Sequence, residues 1–232
     1  MLAPLTRPKG SIVQPTENPS RRTMAKGALW SVPVVAVATA APARAASCAP
    51  AVIDWDALAP GTQVGQTSVN NTRLTVTSTV SNNRNLRVTA GPQGGLSQNY
   101  LAFAFDPTVP ANATQTITFT FSRPVQDVSF TLLDLETVGT GVSGTSGFRE
   151  GFSLSSGFRV TSRGSKVTGS GTATDPFVNT GTAGPSETVG NVGIAYAGPL
   201  TSFSITYSNR FATNYNLYIL AGISDIAFDP VC

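Results

Sequence analysis

Histidine is absent from all 232 residues. That absence excludes imidazole general bases, Ser-His-Asp and Cys-His nucleophile activation, and zinc sites built on histidine. Charge is scarce as well, at 12% Asp, Glu, Lys and Arg. Lys166 is the only lysine beyond Lys26, and no Ser-x-x-Lys precedes or contains it, so a Ser-Lys dyad has little basis. After Ala45 no apolar run is long enough to span a bilayer, and no window carries a helical stripe. Paired carboxylates are the route to catalysis that this composition leaves open.

What is present begins with an address. Ser20-Arg21-Arg22-Thr23-Met24-Ala25-Lys26 precedes a weakly apolar segment from Ala28 to Ala41, and Ala43-Arg44-Ala45 follows. A charged region, a short apolar segment and a small-x-small site mark a cleaved export signal. Arg21 and Arg22 ahead of the apolar run resemble twin-arginine (Tat) signal peptides. The resemblance implies passage through the Tat translocase, cleavage by signal peptidase at Ala43-Arg44-Ala45, and an extracellular or envelope-associated product. The expected organisation is a leader over residues 1–45 and one domain over 46–232.

Removing the leader changes the charge. Six of the fifteen Lys and Arg residues and one of the twelve acids lie in it, which leaves nine basic and eleven acidic residues, a net of −2. The basic pI of about 9.1 therefore belongs to the targeting segment. It offers no argument for nucleic acid or an anionic membrane as partner. With no anchor read after Cys232, release of the product is the expectation.

Cys48 and Cys232 form an even pair near the two ends of the product, and in an oxidising compartment such a pair reads as a disulfide. Closing so long a loop would stabilise by at most ~5 kcal/mol in the chain-entropy account. The alternative makes Cys48 an acylated lipoprotein terminus. Ala45-Ala46-Ser47 lacks the large aliphatic residue of a lipobox, and that reading leaves Cys232 over.

Beyond the leader the chain alternates with period two. Ile117, Phe119 and Phe121 interleave with Thr116, Thr118 and Thr120, and Phe203, Ile205 and Tyr207 interleave with Ser202, Ser204, Thr206 and Ser208. One face is apolar and the other rich in hydroxyls, as a half-buried antiparallel strand requires. Similar runs cover 74–80, 86–89, 100–105, 128–135, 152–160, 192–197 and 217–228. Turn signals separate them at Pro60-Gly61, Asn82-Asn83, Gly91-Pro92, Gly94-Gly95, Arg123-Pro124, Gly184-Pro185 and Gly198-Pro199. Many short strands at this spacing predict an all-β, antiparallel two-sheet sandwich.

Three stretches, Val52 to Thr62, Val125 to Glu136 and Gly222 to Phe228, resemble recurring pieces of secreted bacterial β-sandwich modules of the carbohydrate-binding or lectin-like kind. That resemblance implies a jelly roll as first choice of topology, with an immunoglobulin-like order second.

Asp134, Glu136 and Glu150 form the first acidic group. On a strand, residues i and i+2 share a face roughly 6 to 7 Å apart, a separation that suits a calcium site or a pair of glycosidase acids. The plain alternative is a strand end where charge returns to solvent, with Arg149 as a loose partner. Asp54 and Asp56 near the start, with Asp225 and Asp229 near the end, form a second group. It reads either as a structural calcium site or as ordinary turn and strand-end residues. Tyr215, between two asparagines, and Trp55 are the candidate platform for stacking on sugars.

Gly139-Thr140-Gly141-Val142-Ser143-Gly144 matches G-x-G-x-x-G but lacks the following helix and the downstream acid, so a hairpin loop is expected. Two function classes remain. One is a non-enzymatic exported module that binds polysaccharide or another envelope component, or serves a structural or adhesive role. The other is a carboxylate-dependent carbohydrate-active hydrolase or lyase.

Overall fold

A computed structural model describes residues 49–82, 84–105, 112–139, 147–211 and 220–232. They fall within one compact unit, Ala45–Cys232. The architecture is all-β, and every strand pairing in it is antiparallel.

The strands are β1 (Ala51–Ile53), β2 (Gln66–Val69), β3 (Thr72–Ser78), β4 (Arg87–Thr89), β5 (Tyr100–Ala104), β6 (Thr114–Leu133), β7 (Thr137–Val138) and β8 (Phe148–Leu154). There follow β9 (Phe158–Arg163), β10 (Val167–Thr168), β11 (Phe177–Asn179), β12 (Val192–Tyr196), β13 (Leu200–Asn209), β14 (Leu220–Ile223) and β15 (Ile226–Pro230). Among the described residues one 3-10 turn, Trp55–Ala57, follows β1 and precedes β2.

The 20-residue β6 organises everything else. Its first half lies between β3 and β13, in registers that include Val76↔Phe119 and Phe203↔Phe119. From there the ladder runs outward through β2 on one side and through β8, β11 and β10 on the other. Its second half has different neighbours. β12, then β9, flank it on one side, and β15 and β14 flank it on the other, leading to β1 and to β5 and β4.

The exchange of partners happens at Arg123-Pro124, which the sequence marks as a turn and the structure places inside β6. Leu200 pairs with Val125 but Ser202 with Thr120, so a bulge there frees the chain from the ladder where proline has no N–H to give. Ser122 Oγ accepts instead from Arg73 N at 3.0 Å, and Pro124 O from Val231 N at 3.0 Å. Other expected runs divide too. The 152–160 run breaks between β8 and β9 at Gly157, whose φ of +96 is that of a turn glycine. The 217–228 run breaks at Ser224-Asp225, with 217–219 outside the described residues.

Both halves of β6 stack on one ring. Phe119 lies 4.7 Å from Phe203 and Phe130 lies 5.1 Å from it, both nearly parallel. Phe121 and Phe228 extend the cluster at 5.1 Å, and Tyr196 joins it 5.4 Å from Phe203. Such pairs contribute roughly 0.5–1.5 kcal/mol each beyond the area they bury.

Candidate functional site

β6 ends at Leu133, and Asp134 turns into the left-handed region with φ +58. Asp tolerates that conformation better than most side chains. The turn overturns the expectation that Asp134 and Glu136 share a strand face, because neither is in a strand. The backbone N–H of Asp134 donates to Asn191 Oδ1 at 3.0 Å, and Asn191 Nδ2 donates to Gly94 O at 2.7 Å. Gly94, with φ +55, is where a Cβ would collide with the Asn191 amide.

Asp134 is 6% exposed. Gln93 Nε2 donates to its Oδ2 at 2.6 Å, while its buried Oδ1 has no partner. Burial, reinforced by Glu187, raises its pKa to about 6.

Two residues on, Glu136 and Glu150 bridge reciprocally. Glu136 N donates to Glu150 Oε2 at 2.8 Å, and Glu150 N donates to Glu136 O at 3.0 Å. The Tyr207 hydroxyl closes the knot by donating to Glu150 Oε1. Burial pushes Glu150 well above the usual carboxylate range, against the pull of those two hydrogen bonds. Burial and then Asp134 raise Glu136 to about 7, and the same desolvation holds Tyr207 well above its ordinary value. Tyr100, beside Asp134, is pushed by burial up to about 12. Among the described residues no cation enters the balance at any of the three acids. Arg149 precedes Glu150 on β8 and so belongs to the opposite face.

The knot ties β6, β8 and β13 to the segment before β12. Leu135 N donates to Gly190 O at 3.1 Å, and Asn179 Nδ2 donates to Leu135 O. The structure thus brings Asp134, Glu136 and Glu150 together, as the sequence suggested, but through a turn and with Gln93, Asn191, Asn179 and Tyr207 as partners. None of these four carries a sequence signal for that role, and Tyr207 reads as a plain core residue in its alternating run. Among the described residues no group of three or more His, Cys, Asp or Glu is arranged to hold a metal ion.

The second acidic group is a joint between the chain ends. Strand β1 stops at Ile53, so Asp54 and Asp56 lie at the 3-10 turn and not on the expected strand. Asp54 Oδ1 caps it by accepting from Asp56 N at 2.8 Å, and Asp56 Oδ1 accepts from Asn99 N at 2.8 Å. Asp225 Oδ1 accepts from Trp55 N at 2.9 Å, and burial raises its pKa. Asp229 lies within β15, one residue before the strand ends at Pro230.

Trp55 itself is fully buried, and its indole N–H donates to Ser224 O at 2.9 Å. It is a core residue and offers no face to a sugar. Tyr215, Cys48, the leader with Arg21, Arg22, Ala43 and Ala45, and positions 140–146 of the glycine motif lie outside the described residues. The flanks of that motif are β7 and β8, paired antiparallel through Val138↔Phe148, so no strand-to-helix junction surrounds it.

Open clefts lie elsewhere. One of about 440 Å³ is lined by Thr131, Ser162, Arg163, Ser165, Thr188 and Asn191, with Leu96 and Val189 at its wall. Another, about 360 Å³, holds Arg84 and Arg87. Among the described residues Val52 is the one large apolar side chain that is exposed, and no described helix is long and apolar enough to cross a membrane. No protein-family model, curated protein or solved structure matches the chain.

Proposed function

We propose that the protein is an exported, non-enzymatic β-sandwich module that binds a polysaccharide or another cell-envelope component. The observation that carries this reading is the lining of the 440 Å³ cleft: four hydroxyls, an amide and one guanidinium beside the apolar Leu96 and Val189, with no carboxylate, thiol or imidazole among them. Such groups orient a polyhydroxylated ligand and have no means of breaking it. Export through the Tat pathway, cleavage at Ala45 and a Cys48–Cys232 disulfide belong to the same proposal. So does a sandwich whose layers are the two partner sets of β6, with jelly-roll order first and immunoglobulin-like second. The stacking of Phe130, from the second half of β6, on Phe203, which is paired with the first half, supports two facing layers.

The test is co-sedimentation of the protein with cell wall and insoluble polysaccharides, with soluble sugar measured in the same tubes. Saturable binding without release is the expected result. Absence of binding to every fraction would overturn it.

A second reading, a carboxylate-dependent hydrolase or lyase, draws on Asp134 and Glu136. Both are raised into the range where a general acid keeps its proton near neutrality. It requires sugar release that Asp134→Asn or Glu136→Gln abolishes while the fold stays intact.

A further inference from the structure

Asp134 is not in the lining of the 440 Å³ cleft, yet the walls of the cleft meet at that residue. Thr131 lies three residues earlier on the same strand end. Asn191 accepts from the Asp134 N–H and donates through Nδ2 to Gly94 O. Leu96 closes a short hairpin that begins at Gln93, with Gln93 N donating to Leu96 O and Leu96 N to Gln93 O, both at 3.0 Å. It is the Gln93 amide that donates to Asp134 Oδ2. The remaining wall, 162–165, hangs on the same segment, because Gly164 N donates to Asn191 O at 2.7 Å.

The 93–96 hairpin presses closely on segment 188–191. Its tip is Gly94-Gly95, both at positive φ, and a Cβ on Gly95 would lie 2.8 Å from the Thr188 methyl. Gly95 N donates to Pro185 O at 2.9 Å, beside the Asn191 to Gly94 bond. Asp134 Oδ1 is buried at this junction without a hydrogen-bond partner.

The titratable groups that face Asp134 are acids and phenols. They are Glu187 from the segment before β12, Glu136 from the turn after β6, Glu150 from β8, Tyr100 from β5 and Tyr207 from β13. Of the cations beside the cleft, Arg163 lies 5.3 Å from the centre of the Phe177 ring and Lys166 Nζ donates to Thr182 O at 2.7 Å. Neither enters the balance at Asp134.

We propose that protonation of Asp134 gates the cleft, so that the site holds its ligand on the acid side of neutrality and loosens it above. The inference rests on the binding reading above and adds the regulation of that same site. With the carboxyl neutral, an unpartnered Oδ1 costs little, and the hairpin stays on segment 188–191. Once ionised, a buried anionic oxygen among other acids costs far more and draws water to itself. Water reaches it by parting the hairpin from the segment, which separates Leu96 from Thr188 and Asn191. Burial and Glu187 place the titration near pH 6, so the change falls between pH 5 and 8. By linkage the gate cannot weaken binding by more than about a hundredfold, the ratio set by a carboxyl that moves between 3.8 and about 6.

The experiment pellets the full chain with purified cell wall and with insoluble polysaccharides from pH 5 to pH 8. In parallel, amide exchange is followed at Asp134, Gly95 and Gly164, corrected for the intrinsic pH dependence, with Phe119 as reference. The parent should bind about tenfold more weakly at pH 8 than at pH 5. The three amides should lose protection over the same range while Phe119 keeps its own. Asp134→Asn, which mimics the neutral acid, should remove the pH dependence of both readouts. Glu187→Gln removes an exposed charge that holds the titration up, and it should move the midpoint to lower pH.

A parent that binds equally well across the range overturns the gate and leaves the binding reading standing. So does an Asp134→Asn variant that keeps the parent's slope. If that variant does not fold, Glu187→Gln decides, and an unmoved midpoint overturns the gate. Loss of protection at Phe119 together with the three amides means unfolding and overturns it too. Failure of the parent to pellet at any pH overturns both readings.

Discussion

The two halves of β6 solve opposite problems with the same backbone. From Thr114 to Phe121 the strand is regular, its hydroxyls face outward and no titratable side chain appears. Beyond the bulge at Arg123-Pro124 it takes new partners and ends against Asp134, Glu136 and Glu150, which are desolvated and uncompensated by any cation among the described residues. The contrast teaches that the acids pushed furthest up by burial lie together at one end of the central strand, with Asp225 shifted in the same direction at the joint beside Trp55. The main response to pH should originate at that end, and the hydroxyl half should be indifferent to it.

The strongest way to break the comparison is to remove what both halves share. Phe203→Ala deletes the ring on which Phe119 and Phe130 stack, and it should cost about 3–5 kcal/mol, lowering Tm by about 10 °C or more. A Tm drop no larger than that of an exposed substitution would mean the halves do not depend on each other. Tyr207→Phe tests the acidic end alone. It leaves Glu150 Oε1 buried without its donor and should cost about 1–3 kcal/mol in chemical denaturation, with little loss if the hydroxyl is not holding the carboxyl.

The acids themselves make stability depend on pH with a defined sign. Asp134 and Glu136 have raised pKa values in the folded state, near 6 and 7, so the native protein binds more protons than the unfolded chain between about pH 4 and 7. Their contribution is fully present below the unfolded carboxyl range and fades as pH rises through 6 and 7. Allowing for solvent screening, the loss is on the order of 2 kcal/mol, seen as a Tm that falls from mildly acid to mildly alkaline buffer. Asp134→Asn with Glu136→Gln should flatten that slope, and a parent profile already flat would remove the proton-holding role.

The smallest effect sharpens the contrast from the other side. Thr118→Val, in the regular half, should change stability by no more than about 0.5 kcal/mol at any pH. EDTA should leave Tm unchanged as well, since Glu150 uses both oxygens on protein donors. A fall in Tm with EDTA would restore calcium to the acidic end.

Legibility divides along the same line. Ile117 to Phe121 and Phe203 to Tyr207 read correctly from alternation, because one-sided burial imposes a strict period of two. The turn at Asn70-Asn71, with φ of 46 and 58, joins β2 to β3 as a two-residue hairpin and passed unread, although paired asparagines suit left-handed positions. Arg123-Pro124 misled in the opposite direction, since a proline signals a turn unless a distant strand supplies a bulge to hold it. The acid trio was visible because acids are rare in this chain. Its geometry was not, because a left-handed Asp134 and its contacts with Gln93 and Asn191 depend on segments more than forty residues away. Trp55 looked like a sugar platform until Ser224 and Asp225 were seen to enclose it.

Strand β15 lies between β6 and β1, pairing Ala51 with Phe228 and Ala227 with Ser129. The earliest described strand therefore has its ladder partner in the latest described one. During synthesis β1 and the Trp55 turn go without those partners until β15 and Asp225 have been made. Losing β15 would cost two places in the sheet at once: its own, and that of β1.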